Sequence, residues 1–261
     1  MLNKIKMLVF DLDDTLLTTE KTITPRAVKA IQACKAKGMR IGYITGRARP
    51  VKDEIFFTGK YNLPCDFIAY YNGAEICAGN ISIESSVIPY DCAMQIIRGL
   101  IEAYPNAQIS VKNEPWSYSS KSGENWNIET KEKVKCTIYD LPDYDVQRIL
   151  IKFGENDDKN KLNNFMTEET IFFVTHDGSA MIINKNATKE RALKKAAEYF
   201  SIELSGIIAF GDDITDIEML KTAGIGVAMD NAISAVKESA DYICGLNDNG
   251  GAAIWIEENI L

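Results

Sequence analysis

The chain has 261 residues, of which 37 are acidic and 29 are basic, so its formal net charge is −8. Hydrophobic residues make up 46% and charged residues 25%, an ordinary composition for a folded globular protein that excludes general disorder. The acidic balance argues against nucleic acid or an anionic membrane as the main partner. No apolar run approaches the roughly 20 residues that a membrane-spanning helix needs.

The six cysteines are scattered along the sequence, at Cys34, Cys65, Cys77, Cys92, Cys136 and Cys244. They form no CxxC pair and have no histidine cluster nearby, which argues against a zinc site or a disulfide framework. We therefore expect free, buried thiols in a reducing compartment. Because the N-terminal residues do not read as an export signal, a cytoplasmic protein is predicted. The single histidine, His176, is expected to be structural.

The first third of the chain alternates between predicted strands and helices. Residues 7–10 form a short apolar run followed by an aspartate, which is typical of a strand buried on both faces. Thr24 and Pro25 form an N-cap and first-turn pair, so a helix is predicted from Pro25 to a stop at Gly38. The same rhythm continues with a strand at 40–45, a weaker helix at 51–57 and a strand at 66–70.

The last third repeats this pattern. A helix is predicted at 189–200, where apolar residues recur on one face, and an apolar strand follows at 207–210. A second helix is predicted over 213–223, closed by Gly224, and further strands are predicted at 225–229 and 241–244. Strands that alternate with helices indicate a parallel sheet covered by helices.

The middle of the chain has a different character. Between residues 83 and 184 the sequence is richer in aromatic and alternating segments, with ten basic and sixteen acidic residues. Strands are predicted at 108–111, 116–119, 134–139, 149–153, 171–175 and 180–183, and helical segments at 91–103 and 159–166. This indicates an α+β insert with a largely antiparallel sheet. We therefore predict a discontinuous α/β core, residues 1–82 and 185–261, with a second domain, 83–184, inserted in it.

Polar residues directly follow three of the predicted parallel strands, at 11–15, 45–47 and 211–216. In an open α/β sheet, ligands bind outside the carboxyl ends of the strands. If the sheet brings these ends together, up to six carboxylates meet in one small site, which is electrostatically prohibitive without a cation. A hard, oxygen-preferring ion such as Mg²⁺ is the natural solution.

Four motifs occur along the chain, in this order: Asp11-Leu12-Asp13-Asp14-Thr15, Thr45, Lys189 and Gly211-Asp212-x-x-x-Asp216. They resemble the DxDGT opening, the second-strand threonine, the post-cap lysine and the acidic fourth motif of the haloacid dehalogenase (HAD) superfamily. Tyr71-Asn72-Gly73-Ala74 resembles the NGA segment of its Cof-like, subfamily IIB phosphatases. The resemblance implies an α/β fold, with a HAD-like Rossmannoid parallel-sheet core and an inserted α+β (α/β) cap domain.

The resemblance also implies roles for individual residues. Asp11 would be the nucleophile that forms an aspartyl phosphate, and Asp13 the general acid and then the base. Thr45 and Lys189 would hold the phosphoryl oxygens and complete the catalytic set. The implied Mg²⁺ ligands are Asp11, Asp13 through its backbone carbonyl, Asp212 and Asp216. The implied substrate-binding set is Thr45, Gly46, Arg47 and Lys189.

The chain departs from the commoner family pattern at three positions. Asp14 stands where glycine is usual, Thr215 replaces the asparagine of GDxxND, and Glu190 follows Lys189 where glycine is typical. None of these removes a residue that the implied mechanism requires.

The implied function is a Mg²⁺-dependent phosphatase acting on a small phosphorylated metabolite, with sugar phosphates as the expected class and no nucleic acid or membrane partner. A phosphosugar mutase of the phosphomannomutase type is an alternative, although the insert offers only Arg98 and Arg148 to grip a second phosphate. A non-enzymatic, receiver-like Mg²⁺-binding domain is the other alternative. It would not explain Asp13, Lys189 and the insert together.

Overall fold

The computed structural model describes residues 5–49, 61–113, 116–119, 143–175 and 178–261. The helix predicted at 51–57, the strand predicted at 134–139, His176 and Cys136 lie outside the described residues. The chain forms two compact units, one made of residues 1–85 and 188–261 and the other of residues 86–187. Both boundaries lie three residues after the predicted ones, and the first does so because a strand of the first unit runs on to Ser85.

The strands of the described residues are, in chain order, β1 (Met7–Phe10), β2 (Arg40–Ile44), β3 (Phe67–Tyr70), β4 (Glu75–Ala78), β5 (Ile81–Ser85), β6 (Gln108–Asn113), β7 (Trp116–Ser119), β8 (Arg148–Lys152), β9 (Thr170–Val174), β10 (Ala180–Asn184), β11 (Ile207–Gly211), β12 (Ile225–Ala228) and β13 (Tyr242–Ile243). The α-helices are α1 (Pro25–Ala36), α2 (Tyr90–Ala103), α3 (Lys189–Tyr199), α4 (Ile217–Thr222), α5 (Ser234–Ser239) and α6 (Gly251–Asn259).

The first unit contains an eight-stranded sheet in the order β13-β12-β11-β1-β2-β3-β4-β5. Its strands pair in parallel from β13 to β3, while β4 and β5 pair antiparallel. Every residue of β1, β3 and β11 is buried, as expected for strands covered on both faces. Because β11, β1 and β2 are neighbours, the residues after their carboxyl ends lie at the same edge of the sheet. This edge carries Asp212, Asp11 and Thr45.

Local capping explains where the two longest helices of this unit begin. The hydroxyl of Thr24 accepts a hydrogen bond from the backbone N–H of Ala27 at 3.2 Å, which confirms the predicted N-cap of α1. Thr188 accepts in the same way from the N–H of Arg191 at 3.2 Å and so starts α3 at Lys189. The Thr188 N-cap therefore places Lys189, the lysine of the sequence motifs, in the first turn of α3.

A partly buried carboxylate links the beginnings of β2 and β3 to α1. Asp66 accepts from the N–H of Ile41 at 2.8 Å and from Lys35 Nζ at 2.7 Å, and it also pairs with Arg40 at 2.8 Å. Although burial acts to raise the pKa of Asp66, these donors outweigh it and hold the pKa below its ordinary value. The carboxylate is thus held in its ionised form within the fold.

Several elements differ from the predictions. The hairpin of β4 and β5 was not predicted, and it turns through Gly79, whose φ of +58° suits glycine. The single helix predicted over 213–223 is wrong: a 3₁₀ turn, Ile214–Asp216, precedes a shorter α4. The helical segment predicted at 159–166 is a 3₁₀ helix, Lys159–Phe165. Helices α5 and α6 were also missed.

The second unit is built around a five-stranded antiparallel sheet in the order β7-β6-β8-β10-β9. Helix α2 contributes apolar residues at helical spacing to its core, namely Ala93, Ile96, Ile97 and Leu100. These pack with the buried residues of β6, β8 and β10. The predicted α+β character of the insert is confirmed.

Of the described cysteines, Cys34, Cys77 and Cys244 are buried and Cys65 and Cys92 are half-buried, and none of them forms a disulfide. None of the helices in the described part of the chain has both the length and the apolar character that crossing a bilayer requires.

Candidate active site

Asp11 is the first residue after β1 and lies at the centre of the sheet edge. Its backbone N–H donates to the carbonyl of Phe210 at 3.0 Å, so the neighbouring strand fixes its position. The residue is only 5% exposed. The chain then makes a wide turn over Leu12–Leu16, closed by a 2.7 Å hydrogen bond from the N–H of Leu17 to the carbonyl of Leu12. This turn carries Asp13 and Asp14.

Asp14 occupies a left-handed backbone conformation, with φ +57°. Glycine adopts this conformation without strain, which explains why glycine is usual at this point of the motif, while aspartate is one of the few residues that tolerate it. The side-chain amide of Asn231 donates to the carbonyl of Asp14 at 2.7 Å. Lys21 Nζ lies 3.2 Å from the Asp14 carboxylate.

Lys189 bridges two buried carboxylates. Its Nζ lies 2.6 Å from Asp11 Oδ1 and 2.7 Å from Asp216 Oδ1. Lys189 is 3% exposed and Asp216 is fully buried. The pKa of Lys189 is raised, because the charges of the two carboxylates outweigh the effect of burial. Lys189 is therefore a fixed cation at this site.

Asp216 turns inward because of the 3₁₀ turn that precedes α4. Its Oδ2 accepts from the N–H groups of Asp212 at 3.2 Å and Asp213 at 3.1 Å. Gly211 makes room for it, since a Cβ at residue 211 would lie 2.5 Å from Asp216 Cβ. Asp212 accepts a 2.6 Å hydrogen bond from the hydroxyl of Thr15, which links the β11 and β1 loops.

Three carboxylates form a cluster suited to a divalent cation. One oxygen from each of Asp11, Asp212 and Asp216 lies within 4.8 Å of the others. Burial, together with the neighbouring carboxylates, raises the pKa of Asp11 well above its ordinary value despite Lys189. Burial and the charge of Asp216 raise the pKa of Asp212 to about 7. The oxygen donors, whose negative charge Lys189 compensates only in part, fit a hard ion such as Mg²⁺.

Up to six carboxylates were expected to converge at this edge, and this expectation is wrong: among the described residues three carboxylates form the cluster. Asp13 and Asp14 face cations instead, and Asp213 accepts from the backbone of Asp216 to cap the 3₁₀ turn. The predicted metal ligand Asp13 thus offers no side-chain oxygen to this cluster, which leaves its backbone carbonyl as the predicted contact.

The Asp13 carboxylate is held from two sides. Arg47 Nε and Nη2 donate to its two oxygens, each at 2.7 Å, in a bidentate pair. Lys21 Nζ lies 3.1 Å from Asp13 Oδ1. Burial acts to raise the pKa of Asp13, but Arg47 and Lys21 together lower it below the ordinary value. About a third of the side chain, 36%, stays exposed.

Thr45 is fully buried at the end of β2. Its N–H donates to the carbonyl of Ala69 at 2.9 Å, and its hydroxyl accepts from the N–H of Arg47 at 3.1 Å. The N–H of Asn72 donates to the Thr45 carbonyl at 2.9 Å, so the NGA segment supports this loop. At Gly46 a Cβ would come within 3.4 Å of Asn72 Oδ1, an ordinary contact. The roles predicted for these residues toward a phosphate stay predictions.

Sequence reasoning assigned no role to three residues of this region: Thr15, Lys21 and Asn231. Thr15 belongs to the opening motif, so its position was available as a signal. Lys21 and Asn231 lie in loops where no periodicity or motif marks them. Of the two other departures from the family pattern, Glu190 pairs with Lys194 on α3, and Thr215 lies half-buried in the 3₁₀ turn.

The mostly parallel sheet, with lysine-bridged carboxylates at its edge and an α+β unit inserted in the chain, defines the protein as one with a Rossmann-like α/β core and an inserted unit. A family model described as haloacid dehalogenase-like hydrolase matches residues 8–256. The chain belongs to this family, as a Cof-like phosphatase, and is a hydrolase. The predicted fold class is thereby confirmed.

The chain is 30% identical over 259 residues to the 5-amino-6-(5-phospho-D-ribitylamino)uracil phosphatase YcsE of Bacillus subtilis, covering 98% of this chain and 96% of the relative. It is 25% identical to the pyridoxal phosphate phosphatase YbhA of Escherichia coli, covering 98% and 99%. The HAD phosphatase BT1666 of Bacteroides thetaiotaomicron has the same fold, with a TM-score of 0.83 at 24% identity over 97% of this chain and 94% of that chain. The relatives from Bacillus subtilis and Escherichia coli are named as phosphatases, which favours hydrolysis over the mutase and receiver alternatives.

Proposed function

We propose that the protein is a Mg²⁺-dependent phosphatase that hydrolyses small phosphomonoesters, sugar phosphates foremost, through an aspartyl phosphate on Asp11. The observation that carries the proposal is the buried Asp11 carboxylate, fixed by Lys189 at 2.6 Å beside Asp212 and Asp216. A nucleophilic carboxylate needs a defined orientation and neighbouring positive charge to approach a phosphate. Lys189 supplies one positive charge, and the carboxylate cluster is suited to bind another.

The residues that would hold Mg²⁺ are Asp11, Asp212 and Asp216, together with the backbone carbonyl of Asp13. When bound, the ion supplies positive charge that offsets the carboxylates and the substrate phosphate. The raised pKa values of Asp11 and Asp212 support this assignment, because burial, together with repulsion between the carboxylates, disfavours their charged forms when no cation is bound.

In the first step, a carboxylate oxygen of Asp11 forms a bond to phosphorus as the bond from phosphorus to the leaving oxygen breaks. Asp13, in its protonated form, gives its proton to the leaving oxygen. The negative charge of an entering phosphate raises the pKa of Asp13 and so favours that form. We expect Thr45 and Lys189 to hold the phosphoryl oxygens and Arg47 to contact the substrate.

In the second step, the Asp13 carboxylate takes a proton from water while the water oxygen attacks phosphorus. The bond between phosphorus and Asp11 breaks, and inorganic phosphate leaves with Asp11 and protonated Asp13 restored. The same residue thus serves as acid and then as base, and the two steps return the enzyme to its starting state.

The substrate class is supported by the names of the relatives, which act on phosphoribitylaminouracil and pyridoxal phosphate, and by a structural neighbour described as a sugar phosphatase. All of these are small phosphorylated molecules. A cytoplasmic location belongs to the same proposal and is supported by the scattered cysteines of the sequence, which form no CxxC pair.

A panel of phosphorylated metabolites tests the proposal, with phosphoribitylaminouracil, pyridoxal phosphate and hexose phosphates among them. Released phosphate is measured in EDTA and after Mg²⁺ is restored. We expect turnover to need Mg²⁺, and we expect Asp11→Asn to abolish it. Asp13→Asn should lower turnover by roughly 10²–10⁴-fold.

Asp230→Asn is the matched control, since Asp230 is an exposed carboxylate after β12 that pairs with Lys237. Full activity in chelator, or wild-type turnover by Asp11→Asn, would contradict the proposal. Interconversion of hexose phosphates without phosphate release would instead favour a mutase.

A further inference from the structure

Two residues of the loops beside Asp13 adopt a backbone conformation that side chains disfavour. Asp14 has φ +57° and Lys21 has φ +55°. Such a conformation costs about 1–3 kcal/mol per residue and persists where the surroundings fix it. The side chains of these two residues meet, with Lys21 Nζ 3.2 Å from Asp14 Oδ1. The strained positions therefore belong to one local arrangement.

The turn that carries Lys21 is closed by its own backbone. The N–H of Thr18 donates to the carbonyl of Thr22, and the N–H of Lys21 donates to the carbonyl of Thr18, each at 2.8 Å. The two threonine hydroxyls also share a 2.9 Å hydrogen bond. A closed turn of this kind limits where the lysine side chain can reach, and here it reaches Asp13.

Lys21 Nζ contacts Asp13 Oδ1 at 3.1 Å while it contacts Asp14 at 3.2 Å. On Asp13, Arg47 engages both carboxylate oxygens at 2.7 Å. The carboxylate is therefore held by cations from two separate loops. Arg47 comes from the β2 loop, and Lys21 comes from the turn after the motif, tethered by Asp14.

We infer that Lys21, tethered by Asp14, is a positioning residue that keeps the Asp13 carboxyl group oriented for proton transfer to the leaving oxygen. The inference rests on the proposed function of Asp13 as the general acid. It assigns a role to Asp14, the residue that stands where the family pattern usually has glycine. It also assigns a role to Lys21, which no motif marks.

A misplaced Asp13 carboxyl group should affect alkyl and aryl phosphates differently. An alkoxide is a poor leaving group, so breaking its bond to phosphorus needs the proton that Asp13 delivers. The nitrophenolate of p-nitrophenyl phosphate is stabilised by its ring and departs without that proton. A misplaced Asp13 should therefore slow the first step for alkyl phosphates and spare the aryl phosphate. A residue that merely supports the fold would affect both substrates alike.

The experiment measures kcat/KM, which reports the first phosphoryl transfer, for p-nitrophenyl phosphate and for glycerol 3-phosphate. For Lys21→Met we expect about a tenfold loss on glycerol 3-phosphate, a fraction of the roughly 10²–10⁴-fold contribution of a general acid, and less than about a twofold loss on p-nitrophenyl phosphate. Lys29→Met is the matched control, because Lys29 is an exposed lysine on α1, and it should change neither value.

Asp14→Asn tests the tether, since asparagine also tolerates the left-handed conformation but lacks the charge. We expect the same selective loss, and we expect no further loss when it is combined with Lys21→Met, because both changes remove one arrangement. Equal losses on both substrates, no loss, or additive losses would overturn the inference.

Asp13→Asn separates this inference from the proposed function. If Asp13→Asn keeps wild-type kcat/KM on glycerol 3-phosphate, Asp13 is not the acid and the proposed function itself fails. If Asp13→Asn is strongly impaired on that substrate while Lys21→Met is unselective, the inference alone fails.

Discussion

Removing Lys189 is expected to be one of the most costly single changes at the site. In Lys189→Met, the carboxylates of Asp11 and Asp216, which are 5% and 0% exposed, lose the cation that lies within 2.7 Å of both. Leaving a buried charge without its partner costs about 3–5 kcal/mol. Because burial already raises the pKa of Asp11, this carboxylate can take up a proton in the variant, which relieves its repulsion with Asp216. The cost should therefore be full at about pH 8 and smaller at about pH 5.

Urea unfolding followed by circular dichroism, in EDTA at both pH values, measures this cost. Added Mg²⁺ should restore stability to the variant more than to the wild type, because the ion supplies the missing positive charge. Lys194→Met is the matched control on the same helix, where the surface pair with Glu190 is worth at most about 0.5 kcal/mol. Equal unfolding midpoints for wild type and Lys189→Met at the higher pH would refute the reasoning.

Three further predictions concern the first unit. Asp66→Asn should lower the free energy of unfolding by about 1–3 kcal/mol. Because its neighbours hold the pKa of Asp66 below the ordinary value, the wild type should be more stable than the variant above about pH 4, and this difference should vanish on acidification. A difference in the free energy of unfolding that stays constant with pH would contradict the prediction. Gly211→Ala should displace Asp216, because the new Cβ would lie 2.5 Å from Asp216 Cβ, and this overpacking should cost about 1–3 kcal/mol of stability. The displacement should also weaken Mg²⁺ binding measured by calorimetry, and an unchanged affinity would contradict the prediction. Burial raises the pKa of Cys34 to about 11 and of Cys244 to about 12, so iodoacetamide should modify both thiols in urea and neither in the native protein, as peptide mass mapping would show.

The core of the fold was predictable because its signals are local. Residues 7–10 are apolar and buried on both faces, and Thr24 caps a helix with its own side chain. The β4 and β5 hairpin was missed because β5 is largely exposed, although Gly79-Asn80 between two short strands is a known hairpin signal. The helix predicted at 213–223 is broken because Asp216 turns inward toward Lys189, a contact between residues 27 positions apart.

At the site, motif order predicted which residues lie at the sheet edge. The partners of those residues were not predictable, because pairings between loops leave no periodic pattern in a sequence. Arg47 was predicted to bind substrate, and its contact with Asp13 was not predicted; Lys21 was not predicted to take part in the site. The contact between Thr15 and Asp212 joins positions 197 apart in the chain. Such contacts follow from the register of β1 and β11, which only the fold fixes.

The central claim is that Asp11 becomes covalently phosphorylated. Asp13→Asn should trap this state with p-nitrophenyl phosphate, because the first step proceeds without the acid while the second lacks its base. Acid-quenched protein is analysed by intact mass and, after borohydride reduction, by peptide sequencing. The account predicts one added phosphoryl group and conversion of Asp11 to homoserine, with neither in Asp11→Asn. A phosphoryl group on another residue, or continued turnover by Asp11→Asn with none detected, would contradict it.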